Sequence, residues 1–348
     1  MSSPAGDGGR GVGAESAVMP APGAGPVRRD EVYRDFALVV PAYNEAPNIP
    51  HLIPELRATF KKYGLDGEIL LVDDGSSDGT GDLAEAQADG WDQLRVLRHR
   101  VNLGKTEALL TAAEATGRKY LVLFDADLQH LPAEIPRFLD RLADGWDIVT
   151  GRKVGRYDKR AVSSIYNALS RMIFRVPVSD LNSMKGFRAD VLNAVRLRHD
   201  WHRFFVVLAH KQGFTVTEID IELHPRRAGE AKYSGKGRVV GGVLDLVAVW
   251  FQLRFSRKPM VAFGLPGLLL MAAGVATGLA ALYLRYAMNL GFRPLLYLVV
   301  LLVTVGVLCF LAGFLGEMIV SVHDELDALR RELGHRTEDA LQRSAERL

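Results

Sequence analysis

Apolar residues in this chain follow two different patterns. In the first two thirds they come in short runs, each stopped by polar residues. Phe36–Val40 reads FALVV, Glu68–Val72 reads EILLV, and Tyr120–Phe124 reads YLVLF, with shorter runs at Leu94–Leu97 and Asp147–Thr150. Runs of that length bounded by turn residues predict buried strands. Helical segments are predicted between them: Asn48 to about Lys62 with Pro50 in the first turn and Asn48 as N-cap, Asn102–Lys105 opening a helix through about Thr116, and one after Pro132. Strands alternating with helices predict a mostly parallel, doubly wound α/β sheet.

The last third is different. Pro259–Leu284 and Pro294–Gly316 run for about 26 and 23 residues without a charge, where roughly 20 suffice to cross a bilayer. The linker Arg285–Arg293 is short, so the two form a transmembrane hairpin with both flanks on one side. Arg254, Arg257 and Lys258 before it and Arg330 and Arg331 after it favour a cytoplasmic catalytic domain and cytoplasmic termini at the cell membrane. Val239–Leu253 is apolar but interrupted by Asp245, which suits an interfacial helix. The predicted organisation is a flexible tail over 1–30, a catalytic domain over 31–237, a juxtamembrane amphipathic helix over 238–258, spans at 259–284 and 294–316, and a charged helical tail over 317–348. Leu326, Leu329 and Leu333 in that tail have the spacing of an oligomerisation helix.

Composition narrows the classes. A formal net charge of +2 gives no reason to expect nucleic acid as partner. The single cysteine, Cys309, lies in an apolar run, so no disulfide forms within the chain. Mean hydropathy is +0.06, and the apolar excess sits after Val239. The Gly- and Pro-rich start lacks the apolar core of a signal peptide.

The candidate chemistry lies where strands end. Three strands run into PAYNE, DDGSSDGT and DADLQH, and in an open α/β sheet ligands sit outside the carboxyl ends of the strands. Asp125 and Asp127 with Gln129 offer an all-oxygen set suited to Mg²⁺ or Mn²⁺ on a diphosphate. Arg152, Arg160 and Arg226 offer planar forks that match phosphate oxygens.

In order, VVPAYNE, VDDGSSDGT, N-x-GK and DADLQH resemble the family 2 glycosyltransferases, which have the GT-A fold, and DADLQH with RRAGEAKY resembles the polyprenol-phosphate mannose and glucose synthases among them. The resemblance covers roughly residues 36–326 and implies the following. Pro41, Tyr43, Glu45 and Asp74 hold the base and ribose of a nucleotide sugar, with Lys105, Asp125, Ala126 and Asp180 completing the donor site. Asp125, Asp127 and Gln129 bind the metal, Mg²⁺ or Mn²⁺. Arg152, Arg160, Ser164 and Arg226 receive the acceptor phosphate or donor diphosphate, and Asp127, Arg152 and Arg226 carry catalysis. The implied reaction is metal-dependent transfer of mannose or glucose from GDP-mannose or UDP-glucose to a polyprenyl phosphate. An ionised phosphate acceptor needs no general base, so a single displacement with inversion is expected, and the leucine spacing of the tail suits a homo-oligomer. His130 after DADLQ leans towards mannose. Two departures stand out: Ala231 replaces the serine of R-x-x-G-x-S-K, and DLNSMKGF is longer than the usual Asp-x-x-Ser-Gly-Phe.

Other classes make different demands. A processive polysaccharide synthase carries Q-x-x-R-W and more spans, and neither is present. An enzyme acting on a glycolipid hydroxyl needs a general base. A non-catalytic membrane scaffold has no need for the DxD carboxylates.

Overall fold

The structure is a computed structural model. It describes residues 25–154, 178–195, 197, 204–227, 248–251, 258–291 and 293–345; side chains are not described at 323, 324, 327, 328 and from 330 onward. The chain divides into two compact units, Met1–Arg238 and Val239–Leu348.

The first unit is built on a seven-stranded sheet. Its strands are β1 (Phe36–Ala42), β2 (Glu68–Asp73), β3 (Leu94–Arg98), β4 (Tyr120–Leu123), β5 (Ile148–Val154), β6 (Lys185–Arg188) and β7 (Val216–Glu222). The spatial order is β3-β2-β1-β4-β6-β5-β7. β1 pairs in parallel with both β2 and β4, β2 with β3, and β5 with β7. Only β6 is reversed, against β4 and β5. The central strands β1, β2 and β4 read as near-continuous apolar runs because both faces are covered: Phe36, Leu38, Val40, Ile69, Val122 and Phe124 are all buried.

Helix α1 (Arg29–Arg34) precedes β1, and α2 (Ile49–Tyr63), α3 (Thr80–Ala88), α4 (Lys105–Ala115) and α5 (Ile135–Ala143) connect β1 through β5 in turn. In α5 the buried residues Ile135, Phe138, Leu139 and Leu142 recur at helical spacing on one face. Asn48 does not cap α2. It has helical backbone angles, and its amide donates to Glu45 Oε2 at 2.5 Å.

The strand order reverses about β1: β2 follows on one side and β4, three helices later, on the other. The carboxyl ends of β1, β2 and β4 therefore meet at one edge, at a topological switch point.

In the second unit, two helices are long and apolar enough to cross a membrane, Met260–Ala287 and Arg293–Val322. Only 11% and 6% of their most apolar windows are buried, unlike a core helix of a soluble protein. They pack through glycines. A Cβ on Gly267 would lie 2.6 Å from Phe310 N, and one on Gly306 would lie 2.8 Å from Gly267 O, so only glycine allows this backbone approach. The second helix runs past residue 316 and continues unbroken to Ala345; Glu317–Leu333 contains neither Gly nor Pro to interrupt it. Of the expected juxtamembrane helix, only residues 248–251 and 258 are described; the N-terminal tail lies outside the described residues up to residue 24.

Candidate active site

The β1 and β2 loops are tied to each other before any ligand is considered. Asn44, held at φ 51°, donates its N–H to Ser76 Oγ at 2.8 Å, and its side-chain oxygen accepts from Ser77 N at 2.9 Å. Glu45 N donates to Thr80 Oγ1 at 2.8 Å, and Ala46 N donates to Asp78 Oδ2 at 3.0 Å. PAYNE and DDGSSDGT thus form one layer, with Pro41, Tyr43 and Glu45 half-buried along it.

Beside it, β4 delivers Asp125, buried Ala126 and Asp127. Lys105, the first residue of α4, donates from Nζ to Asp125 Oδ1. Arg226, beyond β7, reaches back with Nε 3.0 Å from Asp127 Oδ2. Two carboxylates one residue apart are therefore each met by a cation from a different loop. Burial pushes the Asp125 carboxyl up, but the charge and hydrogen bond of Lys105 outweigh it and hold the group well below the usual carboxylate range. Burial and the charge of Asp125 raise Asp127, against the Gln129 N–H and Arg226. Gln129 N donates to Asp127 Oδ1 at 3.2 Å, while Gln129 O accepts from His224 N at 2.9 Å. This fastens the DxD loop to the segment that carries Arg226.

Asp180 is buried and lies 3.4 Å from Lys153 Nζ. Lys153 also donates to Asn182 O at 2.6 Å. Glu218 anchors the same loop by accepting from Ser179 Oγ at 2.9 Å. Arg152 points elsewhere, to a two-pronged pair with Asp220 at 2.5 and 2.9 Å. Arg160 and Ser164 lie outside the described residues.

Three buried groups near these charges were not singled out for their chemistry from the sequence, or were given a different reading. Lys185 on β6 is 2% exposed, and burial brings its ammonium down to about 7; its Nζ donates to Ser183 O at 2.9 Å. His130, also 2% exposed, is brought down to about 4 by burial, so it is neutral at physiological pH. His99 pairs with Asp74. No short motif marks Lys185 or His99, since their partners are distant in sequence. Among the described residues, no three His, Cys, Asp or Glu side chains converge as a metal cluster. A cavity of about 370 Å³ lined by Phe60, Leu65, Trp91 and Gln93 lies at the amino ends of the strands, away from these groups.

An open sheet with a DxD at the switch point and basic side chains turned onto it is a GT-A glycosyltransferase architecture. The "Glycosyl transferase family 2" model matches residues 37–202. The dodecaprenyl-phosphate galacturonate synthase of Rhizobium johnstonii is 30% identical over 311 residues, covering 84% of this chain and 90% of that protein. An undecaprenyl-phosphate 4-deoxy-4-formamido-L-arabinose transferase of Pseudomonas fluorescens is 29% identical over 304 residues, covering 85% and 87%. Among solved structures, glucosyl-3-phosphoglycerate synthase from Mycobacterium tuberculosis, in complex with Mn²⁺, UDP and its product, superposes with a TM-score of 0.52 at 18% identity, over 69% of this chain and 88% of that one. The same enzyme was also crystallised with Mg²⁺ and UDP. The chain belongs to glycosyl transferase family 2 and is related within it to polyprenyl-phosphate sugar transferases. The sugars those two relatives are named for are neither mannose nor glucose, so the relatives lend no support to the hexose expected from the motifs.

Proposed function

We propose that this chain transfers a sugar from a nucleotide-diphosphate sugar to a polyprenyl phosphate, with Mg²⁺ or Mn²⁺ on the donor diphosphate. The observation that carries the reading is the pair Asp125 and Asp127 at the switch point, each neutralised by a protein cation. The names of the relatives support the lipid-phosphate acceptor.

The residues fit a divalent cation. Two adjacent carboxylates repel one another, which is part of why Asp127 is raised. Mg²⁺ is commonly held by one or two carboxylates with substrate phosphates and water completing its shell, so a third acidic ligand is not required. Gln129 is the further oxygen ligand in this reading. When bound, the cation would supply Lewis-acid stabilisation of the leaving diphosphate.

The chain's own residues do the rest. Pro41, Tyr43, Glu45 and Ala126 border the nucleoside. Lys105 and Arg226, released from the carboxylates, neutralise diphosphate oxygens. Arg152, once freed from Asp220, would receive the acceptor phosphate with Arg160 and Ser164. Asp180, held by Lys153, faces the sugar. A phosphate acceptor is largely ionised near neutral pH and needs no general base, so positioning and electrostatics carry the rate. The step is one in-line displacement: the acceptor oxygen bonds to the anomeric carbon as the bond to the diphosphate breaks. The hairpin keeps the catalytic unit and both termini on the cytoplasmic side of the cell membrane. NMR of the lipid product tests the displacement. An anomeric configuration opposite to the donor's is expected; retention overturns the single-step mechanism.

A further inference from the structure

The loop that leads into β6 is held by three neighbouring strands. In the sheet, Lys185 on β6 stands opposite Thr150 on β5, and Thr150 stands opposite Glu218 on β7. Register partners on adjacent strands turn their side chains to the same face, so these three form one polar row. All three reach the backbone of the loop. Glu218 Oε1 accepts from the N–H groups of Ser179 and Asp180, the latter at 3.3 Å, and its Oε2 accepts from Ser179 Oγ at 2.9 Å. Thr150 Oγ1 donates to Asp180 O at 3.4 Å, and Lys185 Nζ donates to Ser183 O at 2.9 Å.

Such a row is costly to build. Thr150 and Lys185 are both buried, and polar side chains inside a sheet cost stability unless each finds a partner. Here each finds its partner in one short loop. Lys153, further along β5, holds the same loop by donating to Asn182 O at 2.6 Å, with Asp180 Oδ2 3.4 Å away. Asp180 Oδ1 accepts from Asn182 N at 2.9 Å. From Ser179 to Ser183 the loop is thus tied at both ends and in between to side chains of the sheet, and it carries Asp180.

We infer that the row Lys185–Thr150–Glu218 is a template that positions Asp180 against the donor sugar, with Glu218 as its principal positioning residue. The inference rests on the donor-site reading above, in which Asp180 faces the sugar, and it gives Glu218 and Thr150 roles that no motif gives them. Glu218 acts through its hydrogen bonds to the loop and touches neither donor nor acceptor. What matters is its reach. Glutamine keeps the length, one oxygen for the two amides and a polar group for the Ser179 hydroxyl, whereas aspartate keeps the charge and loses the reach. A loop placed in advance spares the reaction the cost of ordering Asp180.

The test uses the full chain in detergent, with Glu218→Ala, Glu218→Asp, Glu218→Gln and Asp180→Asn, each checked for folding by circular dichroism. Amide hydrogen exchange without ligand is read first. Glu218→Ala is expected to lower protection at Ser179 and Asp180 by about tenfold, as loss of hydrogen bonds to a charged group implies. Glu218→Asp should lower it in the same direction and carries the test if Glu218→Ala does not fold, while Glu218→Gln should restore most of it. Unchanged exchange in the Ala and Asp variants overturns the template, whatever the protein's substrates. Turnover is read second, with Mn²⁺, a short polyprenyl phosphate and the labelled nucleotide sugars of galacturonate, 4-deoxy-4-formamido-L-arabinose, mannose and glucose. With the donor that wild type uses, Glu218→Ala should lower kcat by about 10- to 100-fold, Glu218→Gln should recover most of it, and Glu218→Ala should add little in an Asp180→Asn background. A Glu218→Gln variant as impaired as Glu218→Ala, or full additivity with Asp180→Asn, overturns the inference. Transfer from none of these donors by wild type counts against the donor-site reading and leaves the exchange result to decide the template.

Discussion

Replacing Lys185 with Met should make the fold more stable near neutral pH and the site worse. Lys185 is 2% exposed on β6, and its ammonium falls from 10.5 to about 7 through burial, with the charges of Lys105 and Lys153 adding to the shift and those of Asp180 and Asp125 opposing it. Lowering of that size corresponds to at most roughly 5 kcal/mol. The unfolded chain holds this proton up to about 10.5, while the folded chain releases it near 7. Between those values the unfolded state binds more protons, so raising the pH stabilises the fold, and below about 7 the full cost remains. Met follows the same track without a charge. Denaturant unfolding of the whole protein in detergent, followed by tryptophan fluorescence with Trp146 buried in the catalytic unit, reads the effect. The variant should exceed wild type by a few kcal/mol at pH 7, and the gap should close towards pH 10. Donor binding should weaken, because the charge beside Asp125 and Asp180 is gone. A variant less stable than wild type at pH 7, or a gap independent of pH, would refute the reasoning.

Other outcomes follow from the same geometry. Asp127→Asn keeps the shape but removes one of two carboxylates, and should weaken Mn²⁺ binding in the presence of nucleotide by about 10- to 100-fold, read by electron paramagnetic resonance. His130 is held near 4 in the folded chain against an ordinary 6.5, so the unfolded state takes up a proton first as pH falls; wild type should lose stability between about pH 6.5 and 4, and His130→Asn should lose less, read as melting temperature against pH. Gly104→Ala places a Cβ at φ 92° and should cost about 1–3 kcal/mol in denaturant unfolding, with transfer activity lost along with it. Arg152→Ala breaks a half-exposed pair with Asp220 and should change stability by no more than about 1 kcal/mol, while raising the KM for the lipid phosphate.

The sequence made the functional edge of the sheet readable and the charge network within it largely unreadable. β1, β2 and β4 were legible because uninterrupted apolar runs stop abruptly at polar loops, and parallel order then places those loops together. β6 was not, because KGFR has one large apolar residue and a lysine; it is a strand through its antiparallel partners β4 and β5. The apolar run after Arg293 marks a span and the leucine spacing beyond it a helix, but apolar content does not tell that the two form one unbroken helix to Ala345. Asp125 and Asp127 were legible as a carboxylate pair and Lys105 and Arg226 as site cations, but not which cation meets which carboxylate: the two lie 20 and 99 positions away along the chain and meet them only through the fold. Asp74 accepts from the backbone amides of Leu103 and Gly104, partners 29 and 30 positions away that no motif marks.

The central claim is sugar transfer to a lipid phosphate, and the most direct measurement is a partition assay on the purified full chain in detergent. It combines Mn²⁺ or Mg²⁺, a short polyprenyl phosphate and labelled nucleotide sugars, including those of galacturonate, 4-deoxy-4-formamido-L-arabinose, mannose and glucose, with Asp127→Ala as control. The account predicts label in the lipid phase from one of these donors, dependent on metal and absent in the control. Metal-dependent nucleotide binding with no label in the lipid phase from any donor would contradict it.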